Sequence, residues 1–254
     1  MKHLQEIQNL VDRGALFVVN HSGGKDSQAM LIELRKIIPA GQLLLIHADL
    51  PGVDWEGIRE HIEGTAGELP LIVCRAVKTF FDMVEHRGAF PTPQLRQCTS
   101  DLKRGPIERE IRRYLAKHPE FRGLVVNCMG LRAAESSSRA KLETFKLNRK
   151  NSVAGREWYD WLPIHEMATA EVFATIARAG QQPHPAYAAG MTRLSCCFCI
   201  MASKQDLRTA ALLKPELFAK YVATEKRLGQ TMMMPRGGVK QGLEEITGIN
   251  AAAV

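Results

Sequence analysis

The sequence predicts an α/β fold with a doubly wound, mostly parallel sheet, on three observations. Apolar runs of strand length recur at residues 15–20 (ALFVVN), 43–48 (LLLIHA), 69–74 and 123–129 (GLVVNCM). Stretches with apolar residues at helical spacing lie between them, at 29–38, 55–63 and 107–117. The first run ends in a glycine turn that opens directly into the first helical stretch. Strands covered on both faces read as continuous apolar runs, and their alternation with helices is the pattern of a parallel sheet with crossover helices.

The remaining elements follow from punctuation. Residues 161–164 (WLPI) suggest one more short strand, and 169–179 a helix that Gly180 stops. After Pro185 the chain changes to a Cys-rich turn, a helical stretch at 215–228 and a Met-, Gly- and Pro-containing end. The expected division is an α/β domain at 1–185, a Cys-containing helical segment at 186–231 packed on it, and a flexible tail at 232–254.

With 254 residues, 45% hydrophobic and 24% charged, the chain can bury one substantial core. No window approaches the roughly 18 apolar residues of a membrane span, and charged residues stand where a signal peptide would be apolar, so a soluble, cytoplasmic protein is expected. Six cysteines in such a chain argue against a disulfide framework. The net charge of +7 favours a polyanionic partner, although a solvated basic surface would give the same number. Lys103, Arg104, Arg109, Arg112 and Arg113 form a basic stretch that fits either a nucleic-acid backbone or a solvated helix face.

The glycine turn carries the chemistry. Ligands of a parallel sheet sit beyond the carboxyl ends of its strands, and the first strand-to-helix turn offers backbone N–H groups to phosphate. Ser22 to Ser27 occupy that turn: Gly23 and Gly24 permit close approach, Ser22 and Ser27 bring hydroxyls, and Lys25 brings compact positive charge. The spacing is too short for the G-x-x-x-x-G-K-[ST] loop.

The segment Ser22-Gly23-Gly24-Lys25-Asp26-Ser27 resembles the signature loop of the N-type ATP pyrophosphatase (PP-loop) superfamily, whose fold is that of the adenine nucleotide alpha hydrolases. His47-Ala48-Asp49, Cys98 with Lys103 and Pro106, and Gly130-Leu131-Arg132 with Glu135, Ser136 and Arg139 narrow the resemblance to the phosphoadenosine phosphosulfate reductase family. The resemblance implies ATP and Mg²⁺ as ligands and cleavage between the α and β phosphates. It places Ser22, Gly23, Gly24, Lys25, Asp26, Ser27, His47, Asp49 and Gly130 around the nucleotide. Lys25, Asp26, Arg132 and Arg139 would do the catalytic work. Asp49 could equally be a turn residue before Pro51, and Arg139 a helix-surface partner of Glu135.

Cys196-x-x-Cys199 can bring two thiolates to one metal or cluster. In the resembled family the segment of Cys98 lies close to the later Cys-rich segment, so Cys98, Cys196 and Cys199 would converge, with Cys197 as an open fourth. A [4Fe-4S] cluster is the expectation, three ligands leaving one iron open to a sulfur donor; zinc fits C-x-x-C equally. Cys74 and Cys128, inside apolar runs, read as core thiols. His184-Pro185-Ala186-Tyr187 resembles the family stretch that approaches substrate. Two departures stand out: Thr99 follows Cys98 in place of a tandem cysteine, and residues 242–254 hold neither Cys nor His where sulfonucleotide reductases carry their nucleophile.

Together these features resemble DNA-phosphorothioation proteins of the DndC and SspD type. That likeness implies adenylation of a nucleic-acid phosphate for sulfur insertion, a cysteine desulfurase as sulfur source and further modification-complex subunits as partners. Sulfonucleotide reduction, tRNA thiolation and a non-catalytic nucleotide-sensing subunit are the rival expectations.

Overall fold

The computed structural model describes residues 2–235 and 237–252. Its strands are β1 (Leu16–Asn20), β2 (Leu43–Ala48), β3 (Leu71–Cys74), β4 (Leu124–Cys128), β5 (Phe145–Leu147) and β6 (Glu157–Trp161). Its helices are α1 (Leu4–Asp12), α2 (Lys25–Leu34), α3 (Ile58–Ala66), α4 (Phe80–Arg87), α5 (Gln97–Thr99), α6 (Gly105–Lys117), α7 (Ser137–Ala140), α8 (Thr169–Arg178), α9 (Lys204–Leu213), α10 (Pro215–Leu228) and α11 (Leu243–Thr247). They divide into two compact units, one of residues 1–47, 57–74 and 107–184, the other of residues 48–56, 75–106 and 185–254.

The first unit is built on one six-stranded sheet in the order β3-β2-β1-β4-β6-β5. β1 pairs in parallel with β2 and β4, β4 in parallel with β6, and β5 runs antiparallel at the edge. The chain winds outward from β1 through β2 to β3, then returns to place β4 on the other side of β1. That reversal makes the carboxyl ends of β1 and β4 the switch point of the sheet, where open α/β sheets bind ligands.

Burial explains why the sequence folds this way. Residues 16–19 of β1 and 43–46 of β2 are all at most 2% exposed, as strands covered on both faces require. Phe17, Val19, Leu45, Val126 and Trp161 share a core with Ile7 and Leu10 of α1 and Met30, Leu31 and Leu34 of α2. The opposite side of α2 packs Ala29 against Val172 and Ile176 of α8. Register is fixed by a polar rung across the sheet: Asn20 Nδ2 donates to Asn127 Oδ1 at 2.7 Å, Asn127 Nδ2 to Asp160 Oδ1 at 3.0 Å, and Asn148 Nδ2 to Asp160 Oδ2 at 2.9 Å. Slipping one strand by a residue would leave these half-buried groups unpaired.

The second unit closes around Tyr221 of α10, which is 0% exposed and lies within 5.0–6.2 Å, ring to ring, of Phe80, Phe81, Phe90 and Phe198. Here the structure departs from the expected division. Residues 48–56 and 75–106 belong with the Cys-rich part, not with the sheet. The expected flexible tail at 232–254 is folded in its described part: Met232 and Leu243 are at most 2% exposed, and buried Glu225 accepts their N–H groups at 2.7 and 2.8 Å. Residues 236, 253 and 254 of that segment lie outside the described residues. A buried carboxylate bonded to two backbone amides holds a segment that composition alone reads as loose. Among the described residues no helix is long and apolar enough to cross a membrane.

Candidate functional site

The turn between β1 and α2 lies at the switch point, and its residues are anchored individually. Ser22 is exposed, its N–H donating to Ser27 Oγ at 3.2 Å, and Ser27 Oγ donates to the Gly24 carbonyl at 2.9 Å. Gly23 has φ 76°, and a Cβ there would stand 2.5 Å from Cγ1 of Ile58, so neither conformation nor space admits a side chain. Gly130, just past β4, would bring a Cβ to 3.2 Å of the Asp26 backbone. It is therefore the close approach of β4 to the start of α2 that needs this glycine. No side chain caps the N-terminus of α2, which leaves its first turn able to meet an anion.

Charge around the turn is arranged in a chain. Lys25, 3% exposed, has its Nζ 3.3 Å from Asp26 Oδ2 and 5.9 Å from the ring centre of Phe173. Asp26 Oδ1 accepts from Arg132 Nε at 2.6 Å. The same guanidinium donates to the Met167 carbonyl at 3.0 Å and to Thr169 Oγ1 at 3.2 Å, and the side chain is buried. Arg132, given a catalytic role by the resemblance, thus orients Asp26 from within the protein. Arg139 pairs with Glu135, which also accepts the Arg132 N–H at 3.0 Å, so the helix-surface alternative describes its contact here. His47 is buried and its Nδ1 donates to the His21 carbonyl at 3.0 Å.

In the second unit, Asp49 is gripped by Arg75 Nε and Nη2, both at 2.5 Å. The cysteines sort into two groups. Cys74 and Cys128 are buried in strands, as expected of core thiols. Cys98, Cys196 and Cys199 are half-buried. Burial, then Cys199, pushes the Cys98 thiol up; burial pushes Cys196 up to about 12 against the pull of Lys103. Lys103 is held above the ordinary lysine range by Cys196 first, with Asp54, Cys199 and Cys98 adding to it. Cys197 is 1% exposed, donates its N–H to the Val53 carbonyl at 2.8 Å, and is raised to about 12 by burial and Asp54. The Met201 N–H lies 3.4 Å from Cys199 Sγ.

The sequence gives no sign of what joins Cys98 to Lys103. Residues Ser100–Arg104 form a π-helical turn between α5 and α6. Over five residues an α-helix turns about 140° past a full circle, whereas a wider π turn brings position i+5 back near position i. Gly105 follows, where a Cβ would meet the Ser100 carbonyl at 3.1 Å. Three other basic residues of that stretch are paired: Arg109 and Arg113 with Glu110, and Arg112 with Glu108.

A mostly parallel sheet with an uncapped helix N-terminus at its switch point defines a doubly wound α/β protein. Residues 17–202 match the phosphoadenosine phosphosulfate reductase domain, and the chain belongs to that family, as its motifs implied. The family is named for an enzyme working on an adenine nucleotide. A 37.8 kDa uncharacterized protein of Escherichia phage 186 is 30% identical over 148 residues, 58% of this chain and 42% of that one. The chain spans under half the length of the curated relatives it matches. Among solved structures, phosphoadenylyl-sulfate reductase from Candida auris, in a phosphate complex, is similar at 13% identity and TM-score 0.49, with 76% of this chain and 87% of that one covered. The U34-tRNA thiolase NcsA from Methanococcus maripaludis, solved with its [4Fe-4S] cluster, is similar at 13% identity and TM-score 0.39 over 98% and 90%.

Proposed function

We propose that the protein cleaves ATP between the α and β phosphates and uses the product to place sulfur in nucleic acid. The observation that carries this is the turn itself: two glycines, two hydroxyls and a buried lysine at the uncapped N-terminus of α2, on the switch point of a sheet in this family. A turn built to hold two linked phosphates holds pyrophosphate as leaving group, which sets the site of attack at the α phosphorus.

The acceptor would be a phosphate oxygen of nucleic acid, DNA in the first instance. That oxygen attacks the α phosphorus and pyrophosphate departs; a sulfur nucleophile then displaces AMP from the adenylated phosphate. The +7 charge supports a polyanionic substrate. Backbone N–H groups of the turn and Lys25 stabilise charge on the departing pyrophosphate, with Mg²⁺ as its counter-ion. Asp26, fixed by Arg132 and Lys25, would help to hold that ion.

Cys98, Cys196 and Cys199 fit an iron–sulfur cluster: Cys98 and Cys199 lie near enough to Cys196 to act on its charge, a backbone amide faces one sulfur, and Lys103 would offset thiolate charge. Such a cluster supplies sulfur handling. Delivery of that sulfur by a cysteine desulfurase within a larger modification complex, in the cytoplasm, completes the reading.

The test is product analysis. Purified protein with Mg²⁺ and ATP should release pyrophosphate and no orthophosphate. In cells, digested DNA should yield phosphorothioate dinucleotides that vanish with Lys25→Ala or Cys199→Ser. ADP as product overturns the cleavage site; a thiolated tRNA base lost in the same variants replaces DNA by tRNA.

A further inference from the structure

The geometry points to His21 as the residue that sets the phosphate turn: its neutral ring, held in one tautomer by Thr65, accepts the Gly23 N–H and fixes the peptide from which the turn departs. This rests on reading the turn as a pyrophosphate cradle.

The hydrogen-bond inventory leaves one arrangement. His21 is 1% exposed, its N–H bonded to the Ile46 carbonyl at 2.9 Å and its carbonyl to His47 Nδ1 at 3.0 Å, so its backbone cannot turn. Nδ1 of the ring lies 3.1 Å from the Gly23 N–H, which can only donate. Nε2 lies 3.2 Å from Thr65 Oγ1, whose single hydrogen goes to the Ile62 carbonyl at 2.9 Å. Thr65 therefore accepts, Nε2 carries the proton, and Nδ1 is the bare acceptor.

The bond matters because of where Gly23 sits. Its φ of 76° and its contact with Ile58 make the conformation specific, and glycine alone has little preference for it over its alternatives. A second anchor on the turn, Ser22 N–H to Ser27 Oγ, fixes its start but makes no bond to the Gly23 N–H. The ring supplies that bond and so aims the amides that follow. The charged and titratable groups facing the ring are His61, His47 and Arg35, all cationic when charged; with burial as the larger cause, they push His21 down to about 3. An imidazolium would turn an N–H toward the Gly23 N–H, and its surroundings oppose its formation. His21 reaches no substrate in this scheme and acts as a positioning residue through Gly23.

Imidazole ¹⁵N spectra of the nucleotide-free protein at neutral pH should show Nε2 protonated and Nδ1 bare. With inorganic pyrophosphate and Mg²⁺ as the probe, His21→Phe, a flat ring with no acceptor, should weaken binding at least about tenfold, a loss that the unmade bond of a buried donor can produce. His21→Asn, whose Oδ1 occupies the place of Nδ1, should recover most of the affinity. Thr65→Val keeps the ring but frees its tautomer, and should also weaken binding, which keeps the test alive if His21→Phe does not fold. The reversed tautomer, or Thr65→Val with wild-type affinity, overturns the inference while leaving the proposed function standing. Wild-type protein that binds no pyrophosphate overturns both, and ADP as the product of ATP overturns the proposed function alone.

Discussion

The phosphate turn and the cysteine set solve opposite problems. Around the turn, polar groups find partners within the chain: Asp26 sits between Lys25 and Arg132, Ser27 between Ser22 and Gly24, and His21 between Gly23 and Thr65. In the cysteine set, burial and then Cys199 push the Cys98 thiol up, burial with Asp54, Cys199 and Cys98 pushes Cys196 up, and Lys103 is the cation that works against this. One region is organised by protein alone; the other gathers groups that repel once ionised. Preorganised donors suit a ligand that comes and goes each turnover, whereas neighbouring thiols suit a cation that stays.

The largest effect expected from this contrast is a separation of activities. Lys25→Ala should lower pyrophosphate release on the order of 10²–10³-fold, the loss typical of one preorganised charge-stabilising group. Cys199→Ser should leave that release close to wild type while abolishing sulfur transfer. Asp26→Asn is preferred to Asp26→Ala, since removing the whole side chain strands the buried Arg132 guanidinium, a loss of about 3–5 kcal/mol in stability that would mask catalysis. Parallel loss of ATP cleavage in the lysine and cysteine variants would erase the distinction.

The cysteine region can be divided further. Anaerobically prepared protein should contain iron and sulfide, lost with Cys98→Ala, Cys196→Ala or Cys199→Ala. Cys197→Ala should retain them and lower stability by about 1–2 kcal/mol, as expected of a buried side chain removed from packing. Iron lost with Cys197→Ala makes the set four-fold, and stoichiometric zinc without sulfide replaces the cluster by a metal ion. Both results are read by metal analysis.

How much of this the sequence discloses differs between the same two regions. Strands β1, β2 and β4 are legible because burial on both faces writes a continuous apolar run, and the turn is legible because six consecutive residues carry it. Edge elements are not. β5 has three residues, with Leu147 44% exposed, and β6 begins four residues before the predicted WLPI strand because its half-buried Glu157, Tyr159 and Asp160 break the apolar pattern. The partners of Arg132, Asp26 with the Met167 carbonyl and Thr169, are not legible, since they lie far from it in sequence. Cys98 and Cys196 are 98 positions apart, and the π turn that faces Lys103 toward them leaves no periodic trace. His21 is hidden for the same reason: its partner Thr65 lies on α3.

The segment after α10 offers a smaller, local effect. Glu225→Ala should leave the Met232 and Leu243 N–H groups buried without an acceptor, about 1–3 kcal/mol for each. Limited proteolysis should then cut within residues 232–242, with the sheet unit intact. Uncut protein would show that packing of Met232 and Leu243 suffices without the carboxylate.

The smallest effect per step is one of pH, and it bears on the turn alone. Burial first, then His61, His47 and Arg35, holds His21 at about 3, against about 6.5 in an unfolded chain. Below pH 6.5 the unfolded state takes up a proton that the folded state refuses, so stability present above that value is lost as pH falls toward 3. One such group gives a slope of at most about 1.4 kcal/mol per pH unit. His61, also lowered by burial, adds in the same direction. Unfolding measured by denaturant between pH 7 and 4 should show this slope, and His21→Asn should flatten it. Hydrogen exchange should locate the effect, with amides of residues 16–24 losing protection on acidification ahead of those in α9 and α10. A slope unchanged by His21→Asn would place the acid-sensitive group elsewhere and would show that the neutral ring does not govern the stability of the turn.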